Sequence, residues 1–200
     1  MQLPAARKAQ KTMDSLIIGV SGARGSFSEQ AAEEFARKNN LKNNQIKYLI
    51  SAENTLKALD NKKIDLGIFP IENSNGGVVL EAIYAISRHI FKIKELFEIP
   101  VIHCLLAHKN AKRNNIKTIA SHDQAIKQCK MYLKRVWPKT ALKETSDTAK
   151  AAEDLSKNKL PKTTAVIASE NCAKLYGLKI LEKGVQDLKF NFTSFLAVEK

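Results

Sequence analysis

Close to the end of the chain stand Phe192, Thr193, Ser194 and Phe195, two hydroxyls flanked by two aromatic rings. The segment that carries them, 185–198, follows one strand-like run and ends in another, so its polar centre falls where two elements meet. Aromatic neighbours exclude water, and a hydroxyl in a dry setting directs a hydrogen bond strongly at a group that develops charge. A threonine hydroxyl is a poor full proton donor near neutrality, so hydrogen bonding to a substrate is the chemistry it suits. Glu72, Asn73 and Ser74 lie in a second polar cluster, 70–77, which reads either as a cleft-lining loop or as a plain turn. Ser121, His122 and Gln124 form a third at a helix start, where His122 serves either as a general acid or as a capping-loop histidine. Ser21, Ser26, Ser28, Thr148 and Asn171 add hydroxyl and amide groups able to contact a ligand.

One local plan recurs and would position these groups. A short apolar run ends in small polar residues, and a helical pattern follows: 16–20 into 21–26 and a helix to 38, 46–50 into 51–55 and a helix to about 61, 66–69 into 70–77 and a helix to about 90. The plan continues with 116–120 into 121–124 and a helix to about 136, a helix opening at 145–148 and running to about 157, and 165–168 into a helix closed by Gly177. Strands alternating with helices predict an α/β fold with largely parallel sheets. Ser26–Glu29 and Ser121–Gln124 fit the S-x-x-E/Q capping box, whose ordinary role is to satisfy free helix N–H groups. Parallel sheets bring several helix N-termini to one edge, and such a crevice suits a small carboxylate or phosphate. The extended runs 95–107 and 178–185 read as crossovers between two lobes, which predicts a first lobe of 14–95 plus 178–200 and a second of 96–177.

Composition narrows the class. Two hundred residues, 44% of them hydrophobic, suit one medium domain or two small lobes. No apolar run reaches 18 residues, so no membrane span is expected. Residues 1–13 are basic and lack a hydrophobic stretch, which reads as a disordered leader and not a secretory signal. The net charge of +13 comes from lysines scattered along the chain, without a basic block interleaved with aromatics. That pattern fits a solvated surface around a cleft for a small anion better than a nucleic-acid partner. Cys104, Cys129 and Cys172 are odd in number, far apart and without a C-x-x-C, which predicts reduced thiols and a cytoplasmic setting.

Taken together and in order, the segments resemble one enzyme family, the prephenate dehydratases, across residues 16–198. The matching motifs are 22–32, 70–79, Glu98 to Leu106 with His103 and Cys104, 121–129, Asp147-Thr148-Ala149, Tyr176-Gly177-Leu178 and Asp187 to Phe195. The chain departs from the pattern at Ala23 and Asp123, where the family has proline, and at Ser194, where it has arginine.

The resemblance implies a two-lobed fold like that of type II periplasmic binding proteins, with the substrate in the cleft. It implies decarboxylative dehydration of prephenate to phenylpyruvate, a step of phenylalanine biosynthesis that needs no metal or organic cofactor. Thr193 aligns with the catalytic threonine; Ser21, Ser26, Glu72, Asn73, Ser74, Ser121, His122, Gln124, Thr148, Asn171, Ser194 and Phe195 are expected against the substrate. Ser194 offers no charge where an arginine would grip a carboxylate, which predicts lowered activity. The short C-terminal end predicts a catalytic domain without the regulatory domain of many relatives, and a homodimer is expected. A related decarboxylase activity that retains the ring hydroxyl, and a small-carboxylate-binding protein without turnover, are the alternative readings; retention of Thr193 favours dehydration.

Overall fold

β-Branched and apolar runs form the strands, and the Ser- and Asp-led segments after them form helices, in the order the spacing predicts. The computed structural model describes residues 15–200, so the leader expected over 1–13 lies outside the described residues. In the first lobe β1 (Leu16–Val20), α1 (Phe27–Lys38), β2 (Asn44–Tyr48), α2 (Ala52–Asp60) and β3 (Leu66–Asn73) follow one another. The two-residue β4 (Gly77–Val78) folds back on the end of β3, and α3 (Leu80–Ile86) leads to β5 (Lys92–Pro100). The second lobe holds β6 (Cys104–Ala107), β7 (Thr118–Ser121), α4 (Asp123–Gln128), α5 (Lys130–Val136), β8 (Ala141–Glu144), α6 (Thr148–Ser156), β9 (Thr164–Ala168), α7 (Glu170–Tyr176) and β10 (Lys179–Lys183). The last strand, β11 (Phe192–Glu199), returns to the first lobe.

The first sheet has the order β2-β1-β3-β11-β5, and the second β10-β6-β9-β7-β8. Each contains three neighbouring parallel strands, β2, β1 and β3 in one and β9, β7 and β8 in the other. Antiparallel pairing completes both: β11 runs between β3 and β5, and β6 runs between β9 and β10. The sheets are therefore mixed, because the chain changes lobes twice and each change brings a strand back in the opposite sense.

Those changes correct the lobe boundaries expected from sequence. The run 95–107 is two strands and not one: β5 stays in the first sheet to Pro100, paired along its length with β11. Likewise β10 belongs to the second sheet, against β6, so 178–183 leaves the first lobe. The crossing segments are tied to one another. Val101 donates its N–H to the Asn191 carbonyl at 2.8 Å, and the His103 carbonyl accepts from Gly184 and Val185 at 2.9 and 3.0 Å. The single helix expected to about 136 also breaks. Cys129 leaves helical geometry, and Asp187 on the second crossing caps the new helix α5 through Met131 and Tyr132, both at 2.8 Å.

Each sheet is covered on both faces. Ile18, Ile68, Phe35, Phe195 and Ala197 pack together on one side of the first sheet, while Leu56, Leu59, Phe69, Leu196 and Val198 pack on the other. The alternation along β11 thus serves both cores. In the second lobe Leu106, Val166, Leu155 and the alanines of α6 form one layer, and Leu105, Ile119, Ile167 and Trp137 the other. Gly177 ends α7 at φ 62°, a left-handed position that suits glycine. The three cysteines are free and buried. Among the described residues no helix is long and apolar enough to cross a membrane.

Leu155 is fully buried among small side chains that cannot expand to replace it. Leu155→Ala should therefore cost about 2–5 kcal/mol of unfolding free energy in urea titration, with an unchanged m-value.

Candidate active site

Helix starts from both lobes meet across a cavity of about 170 Å³, more than ten times the space a single water requires. Ser26 caps α1 by accepting from the Glu29 N–H at 3.3 Å, and Ser51 caps α2 by accepting from Asn54 at 3.1 Å. From the second lobe Asp147 caps α6 through the Lys150 N–H at 2.7 Å, and His122 Nδ1 accepts from the Gln124 N–H at 3.3 Å. All four caps line the cavity. The convergence expected of parallel strands is thus present, with donors and partial positive charge at the starts of α1, α2 and α6. Half of the first expected capping box forms, at Ser26, and neither half of the second. Glu29 turns to the Gly25 N–H and the Tyr48 hydroxyl, and at the start of α4 the cap is His122, not Ser121.

The interior of the cleft is ordered by a chain of side-chain amides. Asn73 ends β3, and its Oδ1 accepts from the N–H groups of Asn75 (2.9 Å) and Gly76 (2.7 Å). Two backbone donors leave no doubt which end of the amide is oxygen, so Nδ2 faces the other way. Its two N–H groups are shared among three acceptors, Asn191 Oδ1 at 2.8 Å, the Phe192 carbonyl at 2.9 Å and Thr193 Oγ1 at 2.9 Å. Asn191 passes the polarity on, donating to Gln128 Oε1 at 2.9 Å. The same oxygen lies 2.8 Å from His103 Nε2, which must therefore carry the proton. Burial pushes the His103 pKa down to about 4, so the ring is neutral near pH 7 and its Nδ1 is an acceptor. Nδ1 is buried with no partner, as are Ser21 Oγ and Gln124 Oε1, and all three residues line the cavity.

Thr193 inherits a defined role in this chain. Its oxygen accepts from Asn73, so its own proton is free to be donated. The residue is 8% exposed and faces the cavity. Gly76 holds the turn against the second lobe. A Cβ there would come within 2.6 Å of Gln124 Oε1 and 3.2 Å of Gln128 Nε2, so both amide ends would have to shift to admit one.

Of the residues expected to contact a ligand, Ser21, Ser26, Asn73, His122, Gln124, Thr148, Thr193 and Phe195 line the cavity together. Ser28 does so as well. Five others lie elsewhere. Glu72 is exposed because it alternates with Asn73 along β3. Ser74 continues the ladder to β11, accepting from the Phe192 N–H at 3.0 Å. Ser121 is buried and donates to the Ile167 carbonyl at 2.7 Å, across to the neighbouring strand. Asn171 is exposed on α7. Ser194 points to the face opposite Thr193 and donates to Glu98 on β5 at 3.0 Å. Its cross-strand neighbours are Glu72 and Glu98, and among the described residues neither carboxylate has an ion-pair partner. Sequence reasoning missed His103, Gln128 and Asn191 as site residues. Their signal was a polar residue repeated near positions already singled out, but only the fold shows that the three side chains meet.

A family model described as prephenate dehydratase matches residues 18–200. A bifunctional chorismate mutase/prephenate dehydratase of Buchnera aphidicola subsp. Schizaphis graminum is 33% identical over 189 residues, 94% of this chain and 48% of that protein. Arogenate dehydratase 5, chloroplastic, of Arabidopsis thaliana is 40% identical over 136 residues, 68% of this chain and 32% of that protein. The chain thus spans about half, or less, of the length of these curated relatives. A solved prephenate dehydratase from Arthrobacter aurescens has the same fold at TM-score 0.81 and 24% identity, covering 92% of this chain and 60% of that one. An ABC-transporter periplasmic substrate-binding protein from Coxiella burnetii matches at TM-score 0.52 and 14% identity, covering 92% and 84%. The fold is accordingly α/β, two-lobed and periplasmic-binding-protein-like, and the chain belongs to the prephenate dehydratase family.

Proposed function

We propose that the chain is a carbon–oxygen lyase of phenylalanine biosynthesis, removing carbon dioxide and the ring hydroxyl from a cyclohexadienyl acid of the prephenate and arogenate class. With prephenate the product is phenylpyruvate. The observation that carries this reading is the free proton of Thr193, fixed by the Asn73 amide in a cleft lined by Phe27 and Phe195. The ring carboxylate leaves as carbon dioxide, and the electron pair of the broken C–C bond enters the ring. The C–O bond opposite breaks, hydroxide departs, and solvent supplies the proton that makes it water. Thr193 donates a hydrogen bond to the departing oxygen as its charge grows, and the developing aromatic ring supplies the driving force. The helix starts of α1 and α2 and the Gln128 amide supply donors for the carboxylates.

Ser194 bears on activity indirectly in this reading. It stands between Glu72 on β3 and Glu98 on β5, so neither carboxylate has a cation opposite it on the strand that carries Thr193. Three free, buried cysteines support a reducing, cytoplasmic setting. A homodimer is the assembly proposed for the chain.

Purified protein incubated with prephenate or arogenate at neutral pH should yield an aromatic product; a non-aromatic dihydro product, or none, rejects the reading. Thr193→Val removes the donor while keeping the shape, and should lower kcat by about 10²–10³ with little change in melting temperature. Wild-type turnover in that variant would end the assignment. Ser194→Arg should raise kcat/KM by at most about fivefold, the equivalent of a partly exposed ion pair worth up to about 1 kcal/mol. An unchanged value would separate position 194 from turnover.

A further inference from the structure

The chain carries 33 basic residues, yet among the described residues no lysine or arginine lines the cavity. The charged side chains there are both acidic, Glu81 in the first turn of α3 and Asp147 at the start of α6. Among the described residues neither takes part in an ion pair, although carboxylates elsewhere on the surface find lysines repeatedly. Asp147 uses Oδ1 for the Lys150 N–H, which leaves Oδ2 available. A second, independent feature points the same way. His103 is 2% exposed, lines the cavity, and holds its Nδ1 lone pair without a partner, because the Nε2 proton is committed to Gln128.

The cleft is thus short of donors on the ligand side. A keto acid brings one hydroxyl donor, and its α-oxygen can only accept. Its two carboxylates would meet two more on the protein. An α-amino acid with the same ring brings three ammonium N–H donors in addition and a cation to face the acidic side chains. Resting on the function proposed above, we propose that the site is built for the amino-acid member of the substrate class over the keto acid, with Asp147 as the residue that pairs with the α-ammonium. Discrimination comes from both sides: attraction for the ammonium, and repulsion plus unpaired acceptors against the keto acid.

The test is kcat/KM for arogenate and for prephenate, each followed by its own product, phenylalanine or phenylpyruvate, in the wild-type chain and in Asp147→Asn. Asparagine caps a helix as well as aspartate does, so α6 is retained. The wild type should favour arogenate by tenfold or more, and Asp147→Asn should shift the arogenate-to-prephenate ratio towards prephenate by at least tenfold. A wild type that favours prephenate, or a ratio unmoved by the substitution, overturns the inference. Should neither compound be turned over, the lyase reading fails by itself, and ligand-induced thermal shifts still decide the inference. Stronger stabilisation by phenylalanine than by phenylpyruvate, lost in Asp147→Asn, upholds it; equal shifts, or a larger one from the keto acid, overturn it.

Discussion

Two backbone N–H groups, those of Asn75 and Gly76, set the direction of the polar chain that links the lobes. By holding Asn73 Oδ1 they turn its amino group towards β11, and each later partner has no choice of orientation. Asn191 must offer its own amino group to Gln128, and His103 must present a protonated Nε2 to the same oxygen. Thr193 must accept, which frees its proton for the cleft. The chain runs from β3 through the second crossing to α4 and the first crossing, so one turn in the first lobe sets hydrogen polarity in both. Buried polar networks of this kind specify a single arrangement only when their members are satisfied. Of the six buried side-chain atoms without a hydrogen-bond partner among the described residues, three, on Ser21, His103 and Gln124, belong to the cavity wall, which is where a ligand would satisfy them.

The lobes are held from the other side by a different loop. The Gly25 carbonyl, between β1 and α1, accepts from the Ser169 hydroxyl at 2.6 Å and the Cys172 thiol at 3.2 Å, and the Tyr176 hydroxyl donates to the Arg24 carbonyl at 2.8 Å. Burial raises the Cys172 pKa to about 11, so this thiol is a donor and not a nucleophile at neutral pH. The Asn73–Gly76 turn against α4 and this loop against α7 thus tie the lobes together by contacts that need no charge.

Charge is partitioned accordingly. The lysines of the described residues lie on the outer surface, where they pair with carboxylates a turn away or stand in solvent. Such a surface attracts small anions from a distance but does not distinguish among them. Among the described residues the cavity offers hydroxyls, amides, helix starts and two carboxylates in place of cations. The contrast follows from where the helices begin and not from the overall composition.

Much of this was legible in the chain itself. The limits of α1, the Ser26 and Ser51 starts, the left-handed Gly177 and the strand–hydroxyl–helix plan follow from local preferences of backbone and side chain, which neighbours in sequence suffice to express. Thr193 stands out as a hydroxyl between aromatic residues, and Asn73 as a member of the polar cluster 70–77. Which side of a strand they face was not local. Ser194 and Glu72 carry equally suitable groups, yet β-strand alternation on the register that β11 finds between β3 and β5 turns them away from the cleft. Nor could the sequence say where 95–107 changes lobes, why a helix stops at Cys129, or that His103, Gln128 and Asn191 meet. Those depend on hydrogen bonds spanning 25 to 118 residues, and such bonds exist only after both sheets have closed around them.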